Sequence, residues 1–330
     1  MRIVARSENR DIAAVTIAEL DNGNLIEFVE SVQPPIPRYK KWVLIVSTMV
    51  GCPISCPICD AGDDYRGKLS TADILAQIDY LVRSRFPDGR VPVEKFKIQF
   101  ARMGDPALNG AVLDVLQELP EIYDAPGLMP TISTVAPASC DAFFTNLLEI
   151  KNRIYRERFL LQFSIHTTDQ RLRDWMIPVK KWSLDAIADY GKAFYRDGER
   201  KITLNFALAD GMPVDPDVLL SRFPTEMFLI KITPVNPTYQ ARKNGIRSLV
   251  TPEKETHAII DTLKNAGYQV ILSIGEWEEN HIGSNCGQAI IHYRRKQDPI
   301  KEGYTYPLET VSDTVDIGGM DLKEVMHDGK

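Results

Sequence analysis

Residues 42–59 read WVLIVSTMVGCPISCPIC, an apolar run followed by a loop that contains three cysteines. The run Trp42–Ser47 is short and rich in β-branched residues, which predicts a buried strand. Similar runs follow at 95–102, 129–134, 159–165, 202–208 and 227–233, and stretches of helical period lie at about 71–86, 109–119, 138–151, 183–196, 215–222 and 252–266. Six strand-then-helix units predict an α/β fold, a parallel sheet wrapped by helices as a barrel or partial barrel.

The two ends of the chain do not share this pattern. Short strands predicted at 2–5, 13–20 and 25–32 are followed by three prolines before residue 38, which indicates a small N-terminal β appendage over 1–38. The partial (β/α)6 barrel is then predicted over 39–290, with a seventh strand at 268–274. Periodicity is lost after about 290, so residues 291–330 are predicted to be a C-terminal extension of unknown role.

The composition excludes several classes of protein. The 330 residues are 44% hydrophobic and 25% charged, which is typical of a globular chain and not of a disordered or fibrous one. The formal net charge of -6 provides no overall attraction to nucleic acid or anionic lipid. No apolar run approaches the ~20 residues of a membrane span. We therefore expect a cytoplasmic protein that does not bind membranes.

Three of the five cysteines, Cys52, Cys56 and Cys59, form a Cys-x3-Cys-x2-Cys motif directly after the first strand of the repeat. Structural zinc sites normally have four protein ligands, whereas three thiolates on an iron–sulfur cluster leave one iron open to another ligand. The motif therefore favours a cluster. The alternatives are a chance spacing and a zinc site completed by a distant histidine or cysteine.

This spacing, placed after strand one of a six-unit α/β pattern, resembles that of the radical S-adenosylmethionine (SAM) enzymes. The resemblance implies a [4Fe-4S] cluster held by Cys52, Cys56 and Cys59, with SAM chelated to its open iron. It also implies a 5′-deoxyadenosyl radical, formed when an electron donor such as flavodoxin or ferredoxin reduces the cluster. Ile58 occupies a position that is often aromatic in the superfamily.

Further segments resemble the RlmN and Cfr branch, whose members methylate RNA adenosines. They are Gly104-Asp105-Pro106-Ala107-Leu108-Asn109, Ile132-Ser133-Thr134, Ser164-Ile165-His166, Pro234-Val235-Asn236-Pro237 and Asn285-Cys286-Gly287-Gln288. The resemblance implies a SAM pocket lined by Gly104, Asp105, Ser133, Ser164, His166 and Asn236. It also implies that Cys286 carries a methyl group and that Glu27 accepts a proton. Taken singly, each of these residues also has an ordinary structural interpretation.

Three departures from that branch affect the expected substrate. Ile45 stands where the family has a second catalytic cysteine on strand one, and the spare Cys140 falls in the helix after strand three. Only about a dozen residues precede the matching region, where the family has an RNA-binding domain. Residues 276–279 read EWEE, and carboxylates there would repel phosphates. The best basic patch, 292–296, is equally typical of a solvated surface.

The sequence therefore predicts a radical SAM enzyme that transfers a one-carbon unit through methylated Cys286 to a small molecule or peptide, with RNA unlikely as substrate. One alternative keeps the radical but abstracts hydrogen directly from substrate without methylation. A second alternative is a cluster protein that is not catalytic, such as a redox sensor or scaffold.

Overall fold

The computed structural model describes residues 1–250, 258–276, 278–284, 288–295, 303 and 305–311. The beginning of the helix predicted at 252–266 lies outside the described residues, as do Cys286 and most of the predicted C-terminal extension. Among the described residues, every helix is too short or too polar to span a bilayer.

The elements alternate along the chain as the sequence predicts. The strands are β1 (Arg2–Asn9), β2 (Ala13–Glu19), β3 (Leu25–Ser31), β4 (Lys41–Val46), β5 (Met49–Val50), β6 (Gly67–Lys68), β7 (Lys95–Phe100), β8 (Leu128–Thr134), β9 (Leu160–Ser164), β10 (Ile202–Ala207), β11 (Phe228–Thr233), β12 (Val270–Leu272) and β13 (Glu309–Thr310). The helices are α1 (Thr71–Arg83), α2 (Ala111–Ile122), α3 (Asp141–Ile150), α4 (Gln170–Met176), α5 (Leu184–Phe194), α6 (Pro216–Leu220), α7 (Tyr239–Lys243), α8 (Ala258–Asn265), α9 (Glu278–Ile282) and α10 (Gln288–Arg295).

Within the described residues, one sheet has the strand order β12-β11-β10-β9-β8-β7-β4-β3-β2-β1-β13. The strands from β4 through β7 to β12 pair in parallel, each joined to the next through helical segments. This confirms the predicted α/β fold. The sheet does not close, because its edge strands β12 and β13 are not paired with each other in the part of the chain that the structure describes.

The N-terminal strands continue this sheet. β3 pairs antiparallel with β4, with Val29 opposite Ile45, and β2 and β1 follow outward. The β3–β4 pairing places the predicted appendage directly beside the strand that leads to the cysteine motif. The division of the chain at residues 38 and 290 stays a prediction, although α10 and β13 show that the last part includes regular structure and pairs with β1.

Side chains on the parallel strands alternate between two environments. On β7, Phe96, Ile98 and Phe100 are fully buried in the main hydrophobic core beneath the helices, whereas Lys95, Lys97 and Gln99 point to the concave face. The same alternation holds on β9 and β11. We call the space enclosed by this concave face the lumen. The outer core stabilises the sheet, and the lumen side is left free for polar residues.

Candidate active site

A cavity of about 420 Å³ lies at the carboxyl ends of the parallel strands and extends into the lumen. Its lining includes all the residues that the sequence predicts for the cluster and the SAM pocket: Cys52, Cys56, Cys59, Gly104, Asp105, Ser133, Ser164, His166 and Asn236. Parallel strands bring their carboxyl ends to one edge, so residues far apart in sequence meet there. The individual roles of these residues stay predictions, but the structure places them together.

The cysteine loop is fixed by backbone contacts on both sides. Gly51 has φ +72°, and a side chain there would place a Cβ 2.3 Å from the carbonyl oxygen of Asp64, so the position requires glycine. The amide of Cys52 donates to the carbonyl of Ala61 at 2.7 Å, and the amide of Cys59 donates to that of Cys56 at 3.0 Å. These bonds form a compact loop that directs the thiols toward the cavity.

Helix α7 holds the same loop from the opposite side of the cavity. The hydroxyl of Thr238 donates to the carbonyl of Ile58 at 2.9 Å. The carboxylate of Asp60 accepts hydrogen bonds from the amides of Tyr239 and Gln240 at 3.1 and 2.8 Å, where the first turn of α7 has unpaired N–H groups. The Pro234–Pro237 segment that precedes α7 is therefore joined to the cysteine loop.

The three thiols fit a polynuclear cluster better than a single metal ion. Burial raises the pKa of Cys52 to about 12 and raises that of Cys56 well above its usual value, and the neighbouring cysteines add to both shifts. Such thiols need a cationic centre to become thiolates. Within the described residues, no three His, Cys, Asp or Glu side chains converge closely enough to hold one ion. A zinc ion would require that convergence, whereas a cluster presents a separate iron to each sulfur.

Asp105 follows β7 and lies at the centre of a hydrogen-bond network. Its carboxylate accepts from the amides of Ala107 and Val135 at 2.9 and 2.8 Å and from the hydroxyl of Thr134 at 2.8 Å. Burial raises the pKa of Asp105 to about 6, although these hydrogen bonds oppose the shift. A carboxylate has about four acceptor positions, so one remains for a further donor such as an ammonium group.

His166, Ser133 and Asn205 provide further polar groups in the cavity lining near Asp105. Nδ1 of His166 accepts from the amide of Ala207 at 3.2 Å, so the neutral ring carries its proton on Nε2. Burial, with a contribution from Arg173, lowers the pKa of His166 to about 4, which keeps the ring neutral near pH 7. Ser133 Oγ and Asn205 Oδ1 are buried and have no hydrogen-bond partner within the described residues. A polar ligand would satisfy both atoms, so the cavity fits SAM.

Glu27 lies next to the cavity in a buried ion pair. Its side chain is completely buried, one oxygen is 2.6 Å from the guanidinium of Arg102, and the other accepts from the amide of Ile290 at 2.9 Å. Arg102 also donates to the carbonyls of Gly283 and Ser284. The pair thus binds the chain on both sides of residues 285–287. Cys286 itself lies outside the described residues, and its role and that of Glu27 as a base stay predictions.

Cys140 and Ile45, the residue that replaces the family's strand-one cysteine, both lie in apolar surroundings. Cys140 is buried at the beginning of α3 within the main core and does not line the cavity. Ile45 packs in a second apolar cluster together with Cys52 and Cys59. Neither residue adds a thiol to the cavity surface beyond those of the three cluster cysteines in the described part of the chain.

Sequence reasoning missed several residues of the cavity wall, namely Gln99, Arg102, Gln162, Asn205, Lys231 and Glu279. Most of them lie on the lumen side of a strand. A signal was available, because a polar residue at every second position of an otherwise apolar strand marks one polar face. Nothing in the local sequence showed which side of the strand faced a cavity and which faced solvent.

Comparisons with known proteins bear on this site. No protein-family model matches the chain. The dual-specificity RNA methyltransferase RlmN of Halorhodospira halophila is 24% identical over 298 residues, which cover 87% of this chain and 76% of the relative. The probable RlmN of Streptomyces coelicolor is 28% identical, with 83% and 72% covered. These relatives support the predicted place of the chain in the radical SAM superfamily, in which it is similar to RlmN.

A solved structure supports the same fold. The radical SAM methyltransferase of Sphaerobacter thermophilus aligns with a TM-score of 0.59 and 19% identity, over 87% of this chain and 80% of that chain. This likeness shows the fold, and the RlmN relatives support a radical SAM enzyme of the methyltransferase type. Its cofactors are a [4Fe-4S] cluster and SAM, as predicted, and when bound they supply a 5′-deoxyadenosyl radical.

Proposed function

We propose that this enzyme transfers a one-carbon unit to a carbon atom of a small molecule or peptide, with Cys286 as the carrier. The observation that carries the proposal is the single cavity lined by the cysteine motif and by every predicted SAM-pocket residue. Cys52, Cys56 and Cys59 hold the cluster, and Asp105 accepts the ammonium group of SAM. Binding of both reactants in this one cavity holds the substrate close to the radical. The electron comes from an external donor such as flavodoxin or ferredoxin.

Contacts of the described residues on either side of 285–287 support the proposed role of Cys286 as the carrier. Arg102 lines the cavity and binds the carbonyls of Gly283 and Ser284, and Glu27 binds the amide of Ile290. Both ends of the segment that contains Cys286 are thereby fixed beside the cavity. We assign the role of proton acceptor to Glu27, which pairs with Arg102 beside the cavity.

The charges at the mouth support a substrate other than RNA. Glu276 and Glu278 line a shallow pocket on α9 and the preceding loop, and Glu279 lines the cavity itself. In the predicted basic patch, Arg294 is engaged by Asp64. RNA binding depends on unpaired cations along the phosphate path, and this surface carries carboxylates. Because the similar proteins are named RlmN, any assay of this enzyme should include ribosomal and transfer RNA as substrates for comparison.

The test is anaerobic reconstitution of the full chain with iron and sulfide, followed by reductant and SAM labelled with deuterium in its methyl group. We expect 5′-deoxyadenosine, S-adenosylhomocysteine and, by mass spectrometry, a labelled methyl group on Cys286. The matched control is Cys140→Ala, which removes a thiol that does not line the cavity and should retain the label on Cys286. An unlabelled Cys286, together with a fully active Cys286→Ala variant, would contradict methyl transfer. RNA methylation by the wild type would contradict the substrate class.

A second candidate function is direct hydrogen abstraction from substrate without methylation. The environment of Ile45 favours it, because among the described residues no thiol other than those of the three cluster cysteines lies at the cavity surface to release a product bound to Cys286. This reaction yields 5′-deoxyadenosine without S-adenosylhomocysteine and leaves the deuterated methyl group out of the product. The same labelling experiment therefore separates the two functions.

Asp105 provides a further prediction. We expect Asp105→Asn to weaken SAM binding by about tenfold or more, because it removes a charge-assisted hydrogen bond and turns an amide N–H₂ toward existing donors. Equilibrium binding of radiolabelled SAM to the reconstituted enzyme measures this effect. Asp114→Asn, a change of an exposed carboxylate on α2, is the matched control and should bind SAM as the wild type does. Unchanged SAM affinity in Asp105→Asn would show that another group binds the ammonium.

A further inference from the structure

Lysines occupy the lumen below the cofactor residues. On β7 the lumen side carries Lys95, Lys97 and Gln99 in succession, and on β11 it carries Lys231 two residues before the strand ends at Thr233. A strand rises ~3.3 Å per residue, so Lys231 begins roughly 7 Å below the carboxyl edge of the sheet. β7 and β11 are separated by three strands, and the charge of Lys231 acts on Lys97, so the two ammonium groups share the lumen.

These lysines lack a counter-charge in the described part of the chain. Lys97 and Lys231 form no ion pair there, and the charges that act on Lys97 belong to Lys231, Lys41 and Lys95. Burial, together with these like charges, lowers the pKa of Lys97 to about 7 and also lowers that of Lys231. Glu279, the carboxylate that shares the cavity lining with Lys231, interacts with Ser31 and Arg102. Burial of a cation without an opposite charge nearby is energetically unfavourable, so a bound anion would stabilise these lysines.

The surrounding groups suit the polar part of a ligand. Gln99 and Gln162 line the lumen beside Lys231, and Asn205 is paired with Lys231 in the register of β10 and β11. The hydroxyl of Thr131, which lies on the same side of β8 as Ser133, is buried and has no hydrogen-bond partner within the described residues. An anion would neutralise the lysines and accept a hydrogen bond from this hydroxyl.

We infer that the substrate enters the lumen and is held by an anionic group, a carboxylate or a phosphate, bound between Lys97 and Lys231. The inference rests on the proposed function, because Lys231 lines the cavity that is proposed to hold the cluster and SAM, as does Gln99, which follows Lys97 on the same side of β7. The anionic end then lies deep in the lumen, and the opposite end of the substrate faces the cofactors at the carboxyl edge. The enclosed volume favours a small acid or a short peptide carboxylate.

The test is amine labelling of the full chain with trinitrobenzenesulfonate, with each lysine quantified by mass spectrometry after digestion. The probes are inorganic phosphate, succinate and SAM, each compared with chloride at equal ionic strength. A bound anion favours the charged ammonium, so with labelling at about pH 6, below the pKa of Lys97, a rise of half a pKa unit reduces labelling of Lys97 and Lys231 by about threefold. Lys192, which is exposed on α5, serves as the reference and should be unaffected.

Each outcome is decisive. Protection by phosphate or succinate, both with and without SAM, supports a substrate site. Protection by SAM alone assigns the lysines to the carboxylate of SAM and overturns the inference, as does no protection by any probe. Lys97→Met should abolish the rise in thermal unfolding temperature that phosphate produces, while Lys192→Met retains it. Labelling requires no radical chemistry, so it tests the anion site alone. Failure of the wild type to form 5′-deoxyadenosine would count against the proposed function and leave the labelling result valid.

Discussion

The Cys56→Ala variant, reconstituted anaerobically, is expected to form 5′-deoxyadenosine at less than about one hundredth of the wild-type rate. Loss of an outer-shell partner alone typically costs 10–100-fold in metal affinity or activity, and here a direct ligand is removed. Cys56 is one of only three cysteines that line the cavity, and within the described residues no further cysteine is available nearby as a substitute. Iron and sulfide content, the visible cluster absorption and the yield of 5′-deoxyadenosine measure the effect together.

The control for this experiment is Cys140→Ala, because Cys140 is also a buried cysteine but lies in the main core away from the cavity lining. It should retain the iron content and the radical yield of the wild type. A Cys56→Ala variant with full iron and full turnover would contradict the assigned cluster ligands. Wild-type protein that binds stoichiometric zinc and takes up no iron would contradict the cluster itself.

The second large effect is expected at Arg102. Arg102→Met leaves Glu27 as an uncompensated charge in a completely buried position, and breaking such a buried pair typically costs about 3–5 kcal/mol. The same change removes the hydrogen bonds to the carbonyls of Gly283 and Ser284. We therefore expect a large fall in the free energy of unfolding, measured by urea denaturation of the full chain, and faster proteolysis near residues 283–290.

A double-mutant cycle distinguishes the charge effect from lost packing. The double variant Glu27→Met/Arg102→Met buries two apolar side chains and should regain a large part of the stability that Arg102→Met loses. Lys192→Met removes one member of the exposed pair with Asp189 and should leave stability nearly unchanged. If Arg102→Met unfolds at the same urea concentration as the wild type, the ion pair does not fix the Cys286 segment.

Asp105 and Arg102 illustrate what local sequence can and cannot predict. Asp105 follows an apolar strand, precedes a proline and resembles a family motif, so its place at the cavity was predictable, and its role in binding SAM stays a prediction. Arg102 is only three residues earlier, but a lone arginine at the end of a strand is typical of a solvated surface. Its partners Glu27 and Ser284 are 75 and 182 residues away in sequence. No pattern read within one segment can identify a contact of that separation.

The lumen lysines show that local sequence also cannot predict whether a charged side chain is buried. The sequence places Lys97 and Lys231 on strands, at the alternate positions opposite the apolar core. An antiparallel sheet with one solvated face would have the same alternation. Curvature of the parallel sheet turns that face inward, which buries the ammonium groups and brings them into mutual repulsion. Their lowered pKa values are therefore a property of the tertiary structure.

The sequence by itself determined the α/β class, the order of the strands and helices, the cysteine motif and the residues at the strand ends. These features depend on side-chain periodicity and on spacing along the chain, and both can be read directly from the letters. Only the tertiary structure decided that β3 pairs with β4, that Glu27 and Arg102 form one buried pair, and that two lysines share the lumen. Such features depend on burial and on distances between segments remote in sequence, which exist only once the sheet has formed.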